Sequence, residues 1–315
     1  MALRHVTDVL DLLDHPKAGG PYIKEALAHR EFKGELLTRE VSTEKGKTDF
    51  VCFRFPGRRG KTRGGDAPTF GLIGRLGGIG ARPERIGLVS DGDGAITAVS
   101  AAFKLGQMAA RGDVLEGDVI VTTHICPCAP VRPHHPVPFM DSPVDLATMN
   151  EHEVLPEMDC ILSVDTSRGN RIINQRGFAI SPTVKEGYIL KVSDDLLDAM
   201  EIVTGRPAQV LPITMQDITP YGNGVFHLNS ILQPSCATPS PVVGVALTAE
   251  VPVPGCASGA SHPVDIEMAV RFVIEAAKGF TSKSLHVYDP EEFSRMVELY
   301  GEMTHLQTLG RKGTS

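Results

Sequence analysis

The chain has 315 residues, of which 42% are hydrophobic and 22% are charged, so it can bury a sizeable core and is not a disordered protein. Its net charge of −7 argues against nucleic acid as a partner, and no apolar run approaches the roughly 18 residues of a membrane span. The N-terminus lacks the features of a secretory signal and there are only six Cys, so we expect a cytoplasmic protein with reduced thiols.

The first part of the chain is predicted to hold helix, one strand and a long loop. Residues 1–40 form a helical N-terminal segment of one or two helices, interrupted by Pro and Gly. Residues 48–55, TDFVCFRF, alternate as a half-buried strand does. Residues 56–83 are rich in Gly, Pro and Arg and predict a loop with a short strand at 69–73. This loop is either a solvated segment or a lid that binds an anionic group.

Strands and helices alternate regularly in the rest of the chain. Short apolar runs predict strands at 86–90, 118–123, 160–165, 208–215 and 241–248. Amphipathic periodicity and end signals predict helices at 95–112, 194–205, 265–280 and 289–303. Alternation of helices with continuous apolar strands is typical of a parallel sheet that is covered on both faces. We therefore predict one α/β domain over residues 1–315, with three αβα layers and a mostly parallel central sheet.

Residue types that bind metals follow several of the predicted strands. Asp91 and Asp93 come after the strand at 86–90, and His124 and Asp165 stand at the ends of the next two strands. His262 lies in the loop that follows the last strand. Ligands bind beyond the carboxyl ends of the strands in open α/β sheets, so we expect these side chains to meet there. A metal bound by imidazole and carboxylate would lower the pKa of its water to about 7 and polarise a carbonyl, which suits amide hydrolysis.

The stretch SDGDGAITAVSAAFKLGQMAARGDVLEGDVIVTTH resembles the metal-binding core of the co-catalytic zinc aminopeptidases and carboxypeptidases. In that pattern Asp91 matches the metal-bridging Asp, Gly94 the following Gly, and residues 115–119 the start of the next strand. The stretch SHPVDIEMAVRFVIEAA resembles the segment that carries the last ligand, which is His262 here. Asp165 lies where a further carboxylate ligand is expected. The resemblance implies the phosphorylase/hydrolase-like fold of these peptidases and metal-dependent hydrolysis.

The chain as a whole resembles the family catalogued as domain of unknown function 1177, through the runs GRLGGIGARPERIGLVSD and THICP. That resemblance implies no activity. The sequence departs from the peptidase pattern in two places. It has no His between His29 and His124, so the early H-x-D ligand is missing, and Thr123-His124 stands where Glu-Glu is expected. We therefore expect a single divalent metal, zinc with manganese or cobalt as alternatives, bound by Asp91, His124, Asp165 and His262.

The predicted reaction is hydrolysis of a small peptide, an amide or a cyclic amide by metal-activated water. Asp93 or Cys126 could serve as the general base, and the residues leave this choice open. Arg168 and Arg171, or the basic loop, would hold a substrate carboxylate, because a planar guanidinium suits that task. The expected partners are a small molecule or short peptide and further copies of the chain, since oligomers are common among the relatives.

Two alternative functions remain open. A thiol enzyme could use Cys126 or Cys128 beside His124 for isomerisation or lyase chemistry. A relative without catalytic activity could keep the fold and bind an amino-acid-like ligand, because fold does not determine function.

Overall fold

A computed structural model describes residues 2–75, 78–133, 139–167, 169–250 and 261–310. The helices of these ranges are α1 (Ala2–Asp14), α2 (Gly20–Ala28), α3 (Asp93–Ala110), α4 (Leu146–Glu153), α5 (Asp194–Thr204), α6 (Pro263–Thr281) and α7 (Pro290–Tyr300). The strands are β1 (Glu35–Thr43), β2 (Gly46–Phe55), β3 (Phe70–Gly74), β4 (Val119–Ile125), β5 (Val131–Arg132), β6 (Phe139–Met140), β7 (Cys160–Thr166), β8 (Gly177–Ile180), β9 (Val184–Lys185), β10 (Tyr188–Ile189) and β11 (Val242–Thr248). Within these ranges no helix has both the length and the apolar character needed to cross a bilayer.

One mixed sheet carries nine of the strands. Its order is β1-β2-β4-β3-β7-β11-β9-β10, and β8 pairs with β11 as well. The four central strands β4, β3, β7 and β11 are parallel, and the outer strands pair antiparallel. A parallel centre with helices against it confirms the predicted α/β class.

The chain changes direction across the sheet at β3. From β3 it passes through α3 to the neighbouring strand β4 on one side, and from β7 it continues to the neighbouring strand β11 on the other side. Connections that leave two neighbouring parallel strands in opposite directions open a crevice at their carboxyl ends. We call this place, the carboxyl ends of β3 and β7, the switch point.

Helices α1, α3, α5 and α6 cover one face of the sheet, and α3 lies closest to it. Its small buried residues, among them Ala98 and Ala102, allow this close approach. At its start a Cβ on Gly94 would lie 2.3 Å from the carbonyl oxygen of Arg75 and 2.7 Å from that of Val164. Only glycine lets α3 begin directly against the switch point.

The opposite face is covered by α4 and by the segment 205–240. This segment contributes Leu211, Ile218 and Ile231 to a second apolar cluster with the sheet residues Ile73 and Ile161. It contains two short 3-10 helices but no α-helix, so this outer layer is mostly irregular chain.

Three predicted elements differ from the structure. Residues 35–43 form β1 rather than helix, and a two-residue turn joins this edge strand to β2, with Thr43 paired with Gly46. Residues 86–90 form no strand and lead into a 3-10 turn before α3. Residues 208–215 make only one isolated bridge, at Val210, because Pro212 has no backbone N–H to pair.

Candidate functional site

Asp165 lies at the carboxyl end of β7 and is almost completely buried, with 7% of its surface exposed. Its Oδ1 accepts a hydrogen bond from the backbone N–H of Thr166 at 2.7 Å, and its Oδ2 accepts one from Ser230 Oγ at 2.9 Å. Burial raises the pKa of Asp165 to about 6, because the charged carboxylate is poorly solvated there. A carboxyl group with this pKa can take up or release a proton near neutral pH.

Arg75 follows the last residue of β3 directly and is 1% exposed. Its Nε lies 3.2 Å from Glu153 Oε2, and its Nη2 donates a hydrogen bond to Asn150 Oδ1. Burial lowers the pKa of Arg75, while the negative charges of Glu153 and Asp165 act in the opposite direction. A buried cation therefore stands at the switch point, between two carboxyl groups.

Glu153 also contacts His124, which lies in β4 and is fully buried. His124 Nδ1 is 2.6 Å from Glu153 Oε1, so one carboxylate joins the guanidinium to the imidazole. Among the described residues His124 Nε2 has no hydrogen-bond partner. Asn150 and Glu153 are three residues apart and share one face of α4. We call Arg75, His124, Asn150 and Glu153 the Arg75 cluster.

The structure does not bring the four predicted metal ligands together. In the described ranges, no group of three or more His, Cys, Asp or Glu side chains is placed to hold a metal ion. The reason is strand alternation. His124 and Asp165 have the parity of residues that face α4 and the segment 205–240, whereas Asp91 and His262 precede α3 and α6 on the opposite face. The predicted ligands divide between the two faces and do not fit one metal.

Asp93 joins the starts of two helices on the α3 side. It is the first residue of α3 and is buried, and its Oδ1 accepts a hydrogen bond from Ser261 Oγ at 2.5 Å. His262 is the N-cap residue of α6, and Asp91 lies in the turn before α3; both are half-buried. The hydrogen bond between Ser261 and Asp93 joins the N-termini of α3 and α6.

The environment of Cys126 does not favour its predicted role as base or nucleophile. Cys126 is fully buried, and its Sγ donates to the carbonyl oxygen of Lys47 at 3.2 Å. Burial raises the pKa of this thiol to about 11, whereas a reactive cysteine needs a lowered pKa. Cys128 is exposed. The remaining predicted site residue, Arg168, lies outside the described residues.

The basic loop before β3 is a structural element and lies at the amino ends of the central strands, opposite to the switch point. Asp118 accepts hydrogen bonds from the backbone N–H groups of Gly57 and Thr62 at 2.8 and 2.9 Å, which close the loop. Lys61 pairs with Asp159 at 2.6 Å. Because the loop leads into the amino end of β3, it does not cover the switch point, and its alternative role as a lid is not supported.

A cleft of about 510 Å³ begins one residue beyond Asp165. In the part of the chain that the structure describes, its single charged lining residue is Arg171. Asn170 Oδ1 accepts hydrogen bonds from the backbone N–H groups of Ile172 and Ile173 at 2.8 and 2.9 Å and so fixes the turn that carries Arg171. Leu211 lies in the apolar wall. The cleft therefore offers one cation beside an apolar surface.

Sequence reasoning missed Arg75, Asn150, Glu153 and Ser230. The signal for Arg75 was available, since it follows the apolar strand FGLIG directly at a carboxyl end. Asn150 and Glu153 follow no strand, and Ser230 lies in a segment without regular structure. Their positions depend on how α4 and the segment 205–240 pack over the sheet.

Comparison with known proteins gives one family and a fold. A family model described as "Protein of unknown function (DUF1177)" matches residues 39–310. No curated protein gives a match. Among solved structures the chain is similar to a mutant of tomato leucine aminopeptidase, with a TM-score of 0.52 and 10% identity over 86% of this chain and 61% of that chain. It is also similar to a glutaminyl cyclase from an Acidobacteriales bacterium, with a TM-score of 0.49 and 15% identity over 90% of this chain and 94% of that chain. The chain thus spans about three fifths of the aminopeptidase, and that likeness shows the fold alone.

Proposed function

The chain belongs to the DUF1177 family of proteins of unknown function, and we propose that it is an enzyme that hydrolyses amide bonds in small carboxylate-bearing substrates. The observation that carries the proposal is the position of Asp165. This buried carboxyl group stands at the switch point, directly before the residues that line the cleft. Its pKa of about 6 suits a general base near neutral pH.

The fold supports the same class of reaction. The leucine aminopeptidase that the chain resembles in fold hydrolyses peptide substrates, as its name states. A shared fold alone does not fix the function, so the proposal depends on the residues of this site. Because the predicted ligands do not fit a common metal, no step of the proposed reaction involves one.

In the proposed reaction Asp165 acts as the catalytic base. Its carboxylate takes a proton from a water molecule, whose oxygen attacks the carbonyl carbon of the substrate amide. The C–N bond then breaks, and the same carboxyl group returns the proton to the leaving amine. Ser230 keeps Asp165 Oδ2 in place through its hydrogen bond, which favours the charged form of the base.

Arg171 supports the choice of a substrate with a carboxylate. A guanidinium binds a carboxylate through two parallel hydrogen bonds, and the described lining of the cleft contains no acidic side chain that would compete. Ile172, Leu211 and Leu228 give the same cleft an apolar surface, which suits an aliphatic side chain. N-acylated leucine and short peptides with a C-terminal leucine have both features.

The test is hydrolysis of a panel of N-acyl amino acids and dipeptides by the wild type and by Asp165→Asn. Asparagine keeps the shape of the side chain and cannot accept the proton. Asp113→Asn, at an exposed residue distant from the switch point, is the matched control. We expect turnover by the wild type and the control, and a loss of roughly a hundred-fold or more in Asp165→Asn. Equal turnover by all three proteins would contradict the role of Asp165.

A second candidate function is binding of an amino-acid-like ligand without turnover. It is favoured by the hydrogen bonds that both oxygens of Asp165 already accept, since a carboxylate held in this way can serve structure alone. Stabilisation of the wild type by N-acyl leucine in a thermal melt, without turnover of any panel member, would support this second function and contradict the first.

A further inference from the structure

We infer that the guanidinium of Arg75 is the fixed positive charge at the switch point, and that His124, within the Arg75 cluster, and Asp165, beside it, serve this charge rather than a metal centre. The inference goes beyond the proposed reaction and does not depend on it. It gives His124 and Asp165, two of the metal ligands expected from the sequence, a different role.

The carboxylate of Glu153 is shared between Arg75 and His124. Arg75, Glu153 and His124 are at most 1% exposed. Each oxygen of Glu153 faces a different group, with Oε2 towards Arg75 Nε at 3.2 Å and Oε1 towards His124 Nδ1 at 2.6 Å. The backbone N–H of Arg75 donates a hydrogen bond to the carbonyl oxygen of Val164 at 2.7 Å, which places Arg75 beside Asp165 in β7, and the charge of Arg75 opposes the rise in the pKa of Asp165. One cation thus serves carboxyl groups from both sides of β3.

Arg75 offers hydrogen-bond donors and no metal ligand at the switch point. Two nitrogens of Arg75, Nε and Nη1, are buried without a hydrogen-bond partner among the described residues. A guanidinium has donors only and cannot ligate a metal. A divalent ion bound to His124 and Asp165 would sit beside this fixed positive charge, and like charges repel strongly where water is excluded.

The two candidate metal ligands, His124 and Asp165, are already oriented by other groups. His124 is fixed through Nδ1, and both oxygens of Asp165 accept hydrogen bonds, from Thr166 N–H and Ser230 Oγ. His124 Nε2 is the one buried atom of these two side chains without a described partner. A single imidazole nitrogen is too few for a stable metal site, which needs three or four protein ligands.

The experiment compares metal content between the wild type and two variants. His124→Asn keeps an N–H donor close to the position of Nδ1 and removes Nε2, the atom that a metal would need. Asp165→Asn removes the carboxylate. His305→Gln and Asp113→Asn, at exposed positions, are matched controls. Each protein is purified without a tag, incubated with zinc, manganese or cobalt, desalted and measured by elemental analysis.

We expect the same metal content in all five proteins, because a metal held anywhere else on the chain would be equally present in each. Metal that is bound by the wild type and controls but lost in His124→Asn or Asp165→Asn would overturn the inference. A second measurement uses the wild type alone, in case a variant does not fold. The ¹⁵N NMR signals of the His124 ring should not change on addition of zinc; a shift of the Nε2 signal would overturn the inference as well.

Discussion

Replacement of Arg75 and Glu153, singly and together, tests the buried ion pair at the centre of the structure. Both side chains are at most 1% exposed, so either single variant leaves an uncompensated charge that water cannot reach. Breaking a buried pair in this way costs about 3–5 kcal/mol of unfolding free energy. We expect Arg75→Met near the lower end, because Glu153 Oε1 keeps its contact with His124 Nδ1 at 2.6 Å. Glu153→Gln should cost more, because the guanidinium loses its closest carboxylate.

The double variant should be more stable than the sum of the two single losses predicts. With both charges removed, no buried charge of this pair remains, and we expect a coupling energy of about 2 kcal/mol or more. Urea denaturation followed by circular dichroism gives the unfolding free energy of each protein. Additivity of the two losses to within about 0.5 kcal/mol would refute the reasoning.

The exposed pair Arg59–Asp66 is the matched control for this cycle. Its side chains are 64% and 66% exposed, and its N–O distance is 2.6 Å. Exposed pairs contribute about 0–1 kcal/mol, because water and salt screen them. Arg59→Met should therefore change stability by less than about 1 kcal/mol. A loss as large as that of Arg75→Met would show that burial is not the cause of the effect.

Three further predictions concern substrate binding, stability and the thiols. Arg171→Met should raise KM for an N-acyl amino acid about ten-fold with little change in kcat. Arg206→Met, which replaces another exposed arginine, should change neither constant. An unaltered KM in Arg171→Met would contradict the role of Arg171 in binding the substrate carboxylate. The pKa of Asp165 is higher in the folded protein than in the unfolded chain, so the wild type loses stability as the pH rises from about 4 to about 7, whereas Asp165→Asn has no carboxyl group to ionise. Asp165→Asn should therefore gain thermal stability relative to the wild type over this range. A relative loss would contradict this sign. In the folded protein Cys126 should resist alkylation while the exposed Cys128 reacts, and equal rates for both would contradict the burial argument.

The strand and helix pattern was predictable where the chain is apolar over a continuous run. The strands β4, β7 and β11 follow their predicted ranges closely, because burial on both faces of the sheet gives a strand a continuous apolar run. The helices α3 and α6 also follow their predicted ranges closely. The strand β1 was missed because it is an edge strand and is mostly exposed, so its residues show no regular alternation between buried and exposed positions. The single domain predicted over residues 1–315 stays a prediction.

The location of the site was predictable, but its chemistry was not. The rule that ligands bind beyond strand ends selected His124 and Asp165, which lie near the carboxyl ends of β4 and β7. Their role in a functional site stays a prediction. The rule does not say which face of the sheet each side chain lies on. Because His124 and Asp165 lie on the face opposite to Asp91 and His262, the four residues do not form a common metal site. Glu153 is decisive for the Arg75 cluster, yet it lies on a helix whose packing no local pattern specifies.

The pH dependence of kcat/KM for hydrolysis of N-acetyl-leucine by the wild type tests the central claim most directly. With Asp165 as the catalytic base, the rate constant should rise with pH, reach half its maximum at about pH 6 and stay level above it. A value that is constant between about pH 5 and 7, or that falls as the pH rises through this range, would contradict the role of Asp165 and with it the proposed function.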